Sequence, residues 1–177
     1  MAESFKGFIQ VYTGDGKGKT TAALGLAVRA AGRGLMVYFG QFLKGRWTGE
    51  IGAAQRLSPF LNLVQFGRKE FVNVTEAPGE EDIILAREGL EACREAMLSG
   101  IYSIIVLDEV CVAVRLGLLS EDDLLNFLDG KPEKVEVVLT GRGATPGLES
   151  RADLVTEMKD VKHYGARGIK ARDGIER

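Results

Sequence analysis

Eight residues near the amino end, Gly14-Asp15-Gly16-Lys17-Gly18-Lys19-Thr20-Thr21, have the types and spacing that grip a polyphosphate. Glycines let successive backbone N–H groups turn inward toward phosphate oxygens, and the start of a helix adds partial positive charge. Lys19 supplies a mobile ammonium, and the Thr20 hydroxyl is placed for Mg²⁺. The standard spacing, G-x-x-x-x-G-K-[ST], is not met. Only Asp15, Gly16 and Lys17 separate Gly14 from Gly18, and Thr13 stands where the first glycine belongs. The ending Gly18-Lys19-Thr20 is intact, so a triphosphate and its metal still fit. The contracted cradle argues against an ordinary ATPase.

Two further groups sit where apolar runs end. Asp108 and Glu109 follow Tyr102 to Leu107, the position of the acidic metal-binding strand end in phosphoryl-transfer proteins. One carboxylate there would hold Mg²⁺ and, in a hydrolase, the other would orient water; a solvated pair capping the next helix is the plainer alternative. Arg142, between two glycines after Val135 to Thr140, is either a fork for the terminal phosphate or a surface turn residue. His163, the only histidine, lacks a nucleophile or metal-ligand constellation and reads as structural or peripheral. Trp47, the only tryptophan, offers a stacking surface or packs under its polar loop. The tail, with Lys162, Arg167, Lys170 and Arg172 among glycines, either closes over a polyphosphate or is a loose terminus.

The elements that must position these groups alternate strand and helix. Strands are predicted over Phe8 to Thr13, Leu35 to Phe42, Leu61 to Phe66, Tyr102 to Leu107, Val135 to Thr140 and, more weakly, Leu154 to Met158. A helix is predicted over Lys19 to Ala31, with Leu24, Ala27, Val28 and Ala31 as its apolar face and Gly32 and Gly34 as stop signals. Lys44 to Glu50 reads as a polar loop. Gly67 to Gly79 is a long irregular stretch, of the kind that serves as a lid or binding element. A second helix is expected near Glu81 to Leu98, with Ala86, Leu90, Cys93 and Met97 at helical spacing. Another helix follows Glu109, and a further one opens at Ser120, where Ser120 and Asp123 have capping-box spacing. Near-continuous apolar strands separated by helices imply an α/β fold, a mostly parallel sheet covered on both faces. In such a sheet the ligand sits beyond the carboxyl ends of the strands, where the glycine loop, Asp108-Glu109 and Arg142 fall.

Composition sets the outer limits. With 177 residues, 45% hydrophobic and 27% charged, the chain is expected to be a single globular domain, with a basic glycine-containing tail from about residue 160. A net charge of −2 gives no general pull toward nucleic acid or an anionic membrane. No signal peptide and no run of about 20 apolar residues is evident, so a cytoplasmic location is expected. Cys93 and Cys111 share no C-x-x-C spacing and are expected to be reduced packing residues.

Together, the segments T-G-D-G-K-G-K-T-T-A-A at Thr13 to Ala23, Q-F-L-K-G at Gln41 to Gly45, V-L-D-E at Val106 to Glu109, T-G-R-G at Thr140 to Gly143 and D-V-K-H at Asp160 to His163 resemble the P-loop-type ATP:corrinoid adenosyltransferases. They run in that family's order along nearly the whole chain. The contracted loop with its second lysine is the most specific of them.

The resemblance implies a single-domain P-loop NTPase-like (RecA-like) fold. It implies transfer of the 5′-deoxyadenosyl group of ATP to the Co(I) centre of a corrinoid, cobalamin or cobyrinic acid a,c-diamide, with release of triphosphate. It also implies that the nucleotide lies reversed relative to ordinary P-loop enzymes. Gly14, Asp15, Gly16, Lys17, Gly18, Lys19 and Thr20, beside Thr13, would then bind phosphates, with Thr21 reaching a further oxygen and Arg142 the phosphate chain. Thr20, Asp108 and Glu109 would hold Mg²⁺ or Mn²⁺. Lys19, Thr20, Glu109 and Arg142 are the residues expected to carry catalysis. Phe71 or Trp47 would displace the lower axial ligand of cobalt, although the phenylalanine-x-tryptophan pair of some members is missing. A homodimer and a reduced flavoprotein as electron donor are implied in the same way. The competing functions are an ATP-hydrolysing switch or motor and a regulatory subunit that only binds ATP; a small-molecule kinase is weaker, lacking an identifiable acceptor pocket.

Overall fold

The six strands are β1 (Ile9–Thr13), β2 (Val37–Phe42), β3 (Leu61–Phe66), β4 (Ile104–Asp108), β5 (Glu136–Thr140) and β6 (Leu154–Glu157). They form one sheet in the order β3-β2-β4-β5-β1-β6, and every recorded pairing is parallel. The coordinates are a computed structural model describing residues 6–69 and 79–176. Strands β2, β4 and β5 are buried along their whole length, which is why they read as continuous apolar runs rather than as alternation.

Successive side chains along the strands feed two separate cores. Ile9, Val11, Ile105, Leu107, Val137 and Leu139 pack with α3 (Glu80–Leu98), α4 (Val110–Arg115), α5 (Glu121–Asp129) and α6 (Pro146–Arg151). Val37, Phe39, Ile104, Val106 and Val138 pack with α1 (Lys19–Ala31) and with Ala54 of α2 (Gly49–Arg56). Both faces of the sheet are therefore covered, as an α/β fold requires. The expected stripe Ala86, Leu90, Cys93 and Met97 is buried on α3. Both cysteines are buried and free, and burial pushes the Cys111 thiol up to about 12.

The buried face of α1 overlaps the expected one at Ala27 and at the partly buried Leu24, and departs from it at Val28. Ala23, Ala27 and Ala30 are buried together with Lys19, whereas Val28 is 52% exposed. Lys19 fixes the phase of this helix. At about 100° per residue, Val28 stands roughly opposite Lys19, so turning Lys19 toward the glycine loop turns Val28 to solvent. Two helices were not anticipated. In α2 only Ala54 is buried, leaving no apolar period to read. In α6 the signal is a cap: Pro146 follows Thr145, whose hydroxyl accepts the Leu148 N–H at 3.4 Å. The capping box at α5 is present, with Ser120 Oγ accepting from Asp123 N at 3.1 Å and Asp123 Oδ2 from Ser120 N at 2.8 Å. Among the described residues no helix is long and apolar enough to cross a membrane.

Candidate functional site

Parallel register brings the strand ends level. Gln41 pairs with Asp108 and Gln65, Tyr12 with Thr140, and Thr13 with Glu157, so β1, β2, β4 and β5 present polar residues along one edge. Beyond that edge lies a cleft of about 1200 Å³. Asp15, Gly16, Lys17, Gly18, Lys19, Thr20 and Thr21 line it, opposite Glu109 and Arg142. Sequence-predicted groups from three strand ends thus share one opening.

The glycine loop turns sharply between β1 and α1. Gly14 has φ of +94° and Gly18 φ of +125°, conformations in which a side chain is strained. The carboxyl-terminal segment also crowds the loop. A Cβ at Gly14 would lie 2.4 Å from the Met158 carbonyl oxygen, and one at Gly16 2.7 Å from the Lys159 carbonyl. The Gly16 N–H donates to Met158 O at 2.7 Å. Lys19, only 7% exposed, donates from Nζ to the carbonyls of Gly14 and Gly16, both at 2.7 Å. Burial pushes its ammonium below the usual lysine range, and Glu109 opposes that shift. Thr13 has its hydroxyl turned to the protein, accepting the Ala144 N–H at 3.2 Å.

Asp108 is fully buried and gathers four donors. Thr20 and Thr140 hydroxyls reach Oδ1 at 2.8 and 2.7 Å, while Gln41 Nε2 and Lys44 Nζ reach Oδ2, both at 3.1 Å. This web fixes the Thr20 hydroxyl beside a carboxylate. Glu109 adopts a left-handed conformation with φ of 63°, and its N–H is held by Thr140 Oγ1 at 2.9 Å. A non-glycine residue in that region costs free energy that the surroundings must supply. Burial pushes the Glu109 carboxyl above its usual range, and the neighbouring Asp108 adds to the shift. Arg142 is exposed and lines the cleft from the loop after β5.

Several contributors were not singled out from sequence. Gln41 and Thr140 are placed by strand register and Lys44 by the loop after β2; their signals in sequence are a position at or just after a strand end and a place in the Gln41 to Gly45 and Thr140 to Gly143 segments. His163 lines the cleft, with Nδ1 accepting the Gly165 N–H at 2.9 Å. Trp47 is 72% exposed and stands by Gly52 on α2, while Gly49, Glu50 and Ala53 of α2 line the cleft. Phe71 lies outside the described residues. Just before that stretch Arg68 forks onto Asp82 of α3, with Nε and Nη2 donating at 2.7 and 2.6 Å.

Known proteins agree with this architecture. A KaiC-like protein of Pyrococcus horikoshii OT3 superposes with a TM-score of 0.57 over 86% of this chain and 73% of its own, at 19% identity, which is a likeness of fold. A corrinoid adenosyltransferase of Pseudomonas aeruginosa is 36% identical, covering 99% of this chain and 86% of its own length. One from Escherichia coli K12 is 34% identical over 99% of this chain and 88% of its own. An uncharacterized Nostoc protein is 40% identical over 92% of this chain, which spans only 46% of that longer relative. The model of the family described as ATP:corrinoid adenosyltransferase BtuR/CobO/CobP matches residues 5–177. With that match over nearly all of its length, the chain belongs to the ATP:corrinoid adenosyltransferase family.

Proposed function

We propose that the protein transfers the 5′-deoxyadenosyl group of ATP to the Co(I) centre of a corrinoid and releases inorganic triphosphate. Co(I) attacks carbon C5′ with its own electron pair. The Co–C bond forms, the C5′–O bond breaks, and triphosphate leaves with the bonding pair while cobalt becomes formally Co(III). A nucleophile of that strength needs no protein base. The chain's work is then to hold the reactants in line and to stabilise charge on the leaving group.

The observation that carries this reading is the convergence of Lys19, Thr20, Glu109 and Arg142 on one cleft in a chain of this family. The cleft exceeds the roughly 300–1,000 Å³ of a usual small-molecule site, which suits two substrates. In this assignment the backbone of the loop from Gly14 to Thr20, with the side chains of Lys19 and Thr20, receives the phosphates, Gly16 N–H being already engaged by Met158 and its neighbours forming the nest. Lys19 exchanges a loop carbonyl for a phosphate oxygen, and Arg142 grips the far side of the chain. The nucleotide lies reversed, its triphosphate held in the contracted loop and its C5′ presented outward.

The donor set fits Mg²⁺. Thr20 and Glu109 line the cleft with hard oxygens, whereas Asp108, fully buried with four donors on its carboxylate, would act on the ion through the Thr20 hydroxyl; the described residues hold no group of three or more His, Cys, Asp or Glu that would cage an ion alone. Magnesium commonly takes the rest of its ligands from phosphate and water. When bound, the ion would offset part of the triphosphate charge. A homodimer, a reduced flavoprotein as electron donor and a cytoplasmic setting belong to the same proposal.

One incubation tests it. ATP, Mg²⁺ and chemically reduced corrinoid should yield a light-sensitive Co–C product and triphosphate in equal amounts. ADP and phosphate formed without dependence on corrinoid would make the protein a hydrolase instead. Tight ATP binding with no turnover would make it a regulatory subunit.

A further inference from the structure

The second lysine of the loop finds its partners far along the chain. Lys17 Nζ donates to the Tyr164 hydroxyl at 3.1 Å, the Ile175 carbonyl at 3.1 Å and Glu176 Oε1 at 2.9 Å. An ammonium has three N–H bonds, so this set occupies all of them. The Tyr164 hydroxyl also bonds Glu176. Arg172 completes the group, its guanidinium 5.0 Å from the Tyr164 ring centroid and its Nη2 3.0 Å from Glu176 Oε1. Although it belongs to the tail, the Glu176 side chain is only 15% exposed. Gly174, Ile175 and Glu176 line the same cleft as Lys19, Thr20 and Arg142.

We propose that Lys17 is a positioning residue: it latches the segment Tyr164–Glu176 across the glycine loop, and this strap forms one wall of the ATP site. The inference rests on reading the cleft as the ATP site. It divides the two lysines by direction. Lys19 points inward to the loop carbonyls, and Lys17 points outward to the strap. Recruiting Lys17 to a phosphate would break three bonds and leave the Glu176 carboxylate facing a polyanion with less compensation. With Lys17 and Arg172 in place, that carboxylate is neutralised at the edge of the cleft.

The experiment compares the wild type with Lys17→Met, Glu176→Gln and the double variant. Amide hydrogen exchange over 172–176 is followed without nucleotide, and steady-state kinetics are measured with ATP, Mg²⁺ and reduced corrinoid. A latch predicts that each single variant speeds strap exchange about fivefold, the scale of an ion pair in a small network. KM for ATP should rise by a similar factor, with kcat within about twofold, because the lost contacts act on binding rather than on the transition state. The double variant should be no worse than either single one, and Lys17→Arg should restore most of the loss. A phosphate-ligand role predicts opposite signs instead: Lys17→Met would weaken ATP while Glu176→Gln, which frees the lysine, tightened it. That outcome, or strap exchange unchanged in both variants, overturns the latch. If wild-type protein turned over no ATP, the assignment of the cleft would fall, and nucleotide-free exchange would still decide the latch.

Discussion

The floor of the cleft and its outer wall are built by opposite means. On the floor, Asp108 has no exposure and four donors drawn from β2, α1, β5 and the loop after β2, gathered at the end of a buried sheet. The wall is a strap at the far end of the chain, held by Lys17, Tyr164, Arg172 and Glu176 at the protein surface. A buried web is costly to disturb, because each lost partner leaves a desolvated polar group unsatisfied. Surface pairs compete with water and contribute little singly. On the proposed reading, the floor would hold the phosphates in fixed alignment and the wall would be the part that opens.

The sharpest way to break this contrast is Lys19→Ala. Adenosyl transfer should fall by about 10²–10³-fold, the scale of a lost charge-stabilising donor, with circular dichroism unchanged. Near-normal turnover would remove Lys19, and with it the glycine loop beside the floor, from the chemistry. Asp108→Asn comes next: it should lower unfolding free energy by about 2–4 kcal/mol, seen as a lower urea midpoint at constant slope, because four donors lose their shared carboxylate. Thr140→Val, which removes one donor to Asp108 and the acceptor of the Glu109 N–H, should lower it by about 1–2 kcal/mol. A variant at either site as stable as wild type would show that the web is not what holds the strand ends.

The smallest effect should be a pH dependence confined to the wall. Hydrogen bonds from Arg172, then Lys17 and Tyr164, hold the Glu176 carboxyl below the usual range. A depressed carboxylate contributes stability above its unfolded value and loses it as pH falls through the folded one. Strap protection, corrected for intrinsic exchange rates, should therefore be constant through neutral pH and decline below the ordinary glutamate range. In Glu176→Gln that decline should vanish. An equal decline in both proteins would assign the acid sensitivity to some other group.

Much of the fold was legible because buried parallel strands must be apolar on both faces, which marks them as short continuous runs. The boundaries of α1 and β3 and the box at α5 are as expected, since each has a strong local signal. What the sequence hid was relational. The face of α1 depends on where Lys19 must point, not on the hydrophobicity of Val28. Gln41 and Thr140 lie in segments the sequence marks, but their meeting at Asp108 follows from the pairing of β2, β4 and β5, with Lys44 joining from the loop after β2. The α2 helix was invisible because it buries a single alanine. The latch spans 147 and 159 positions of sequence, from Lys17 to Tyr164 and Glu176, a separation no local pattern reports. Chemistry was readable where one segment holds it, and unreadable where distant segments must meet.

The contact of Met158 and Lys159 with Gly14 and Gly16 bears on how such a loop can change over time. Because β6 and the chain leaving it abut the turn from outside, its length is set jointly with the sheet margin. Lengthening it by one residue, to the spacing of a common nucleotide hydrolase, would push backbone into backbone unless that margin moved as well. A change of loop spacing would thus call for matching change at two distant stretches of sequence.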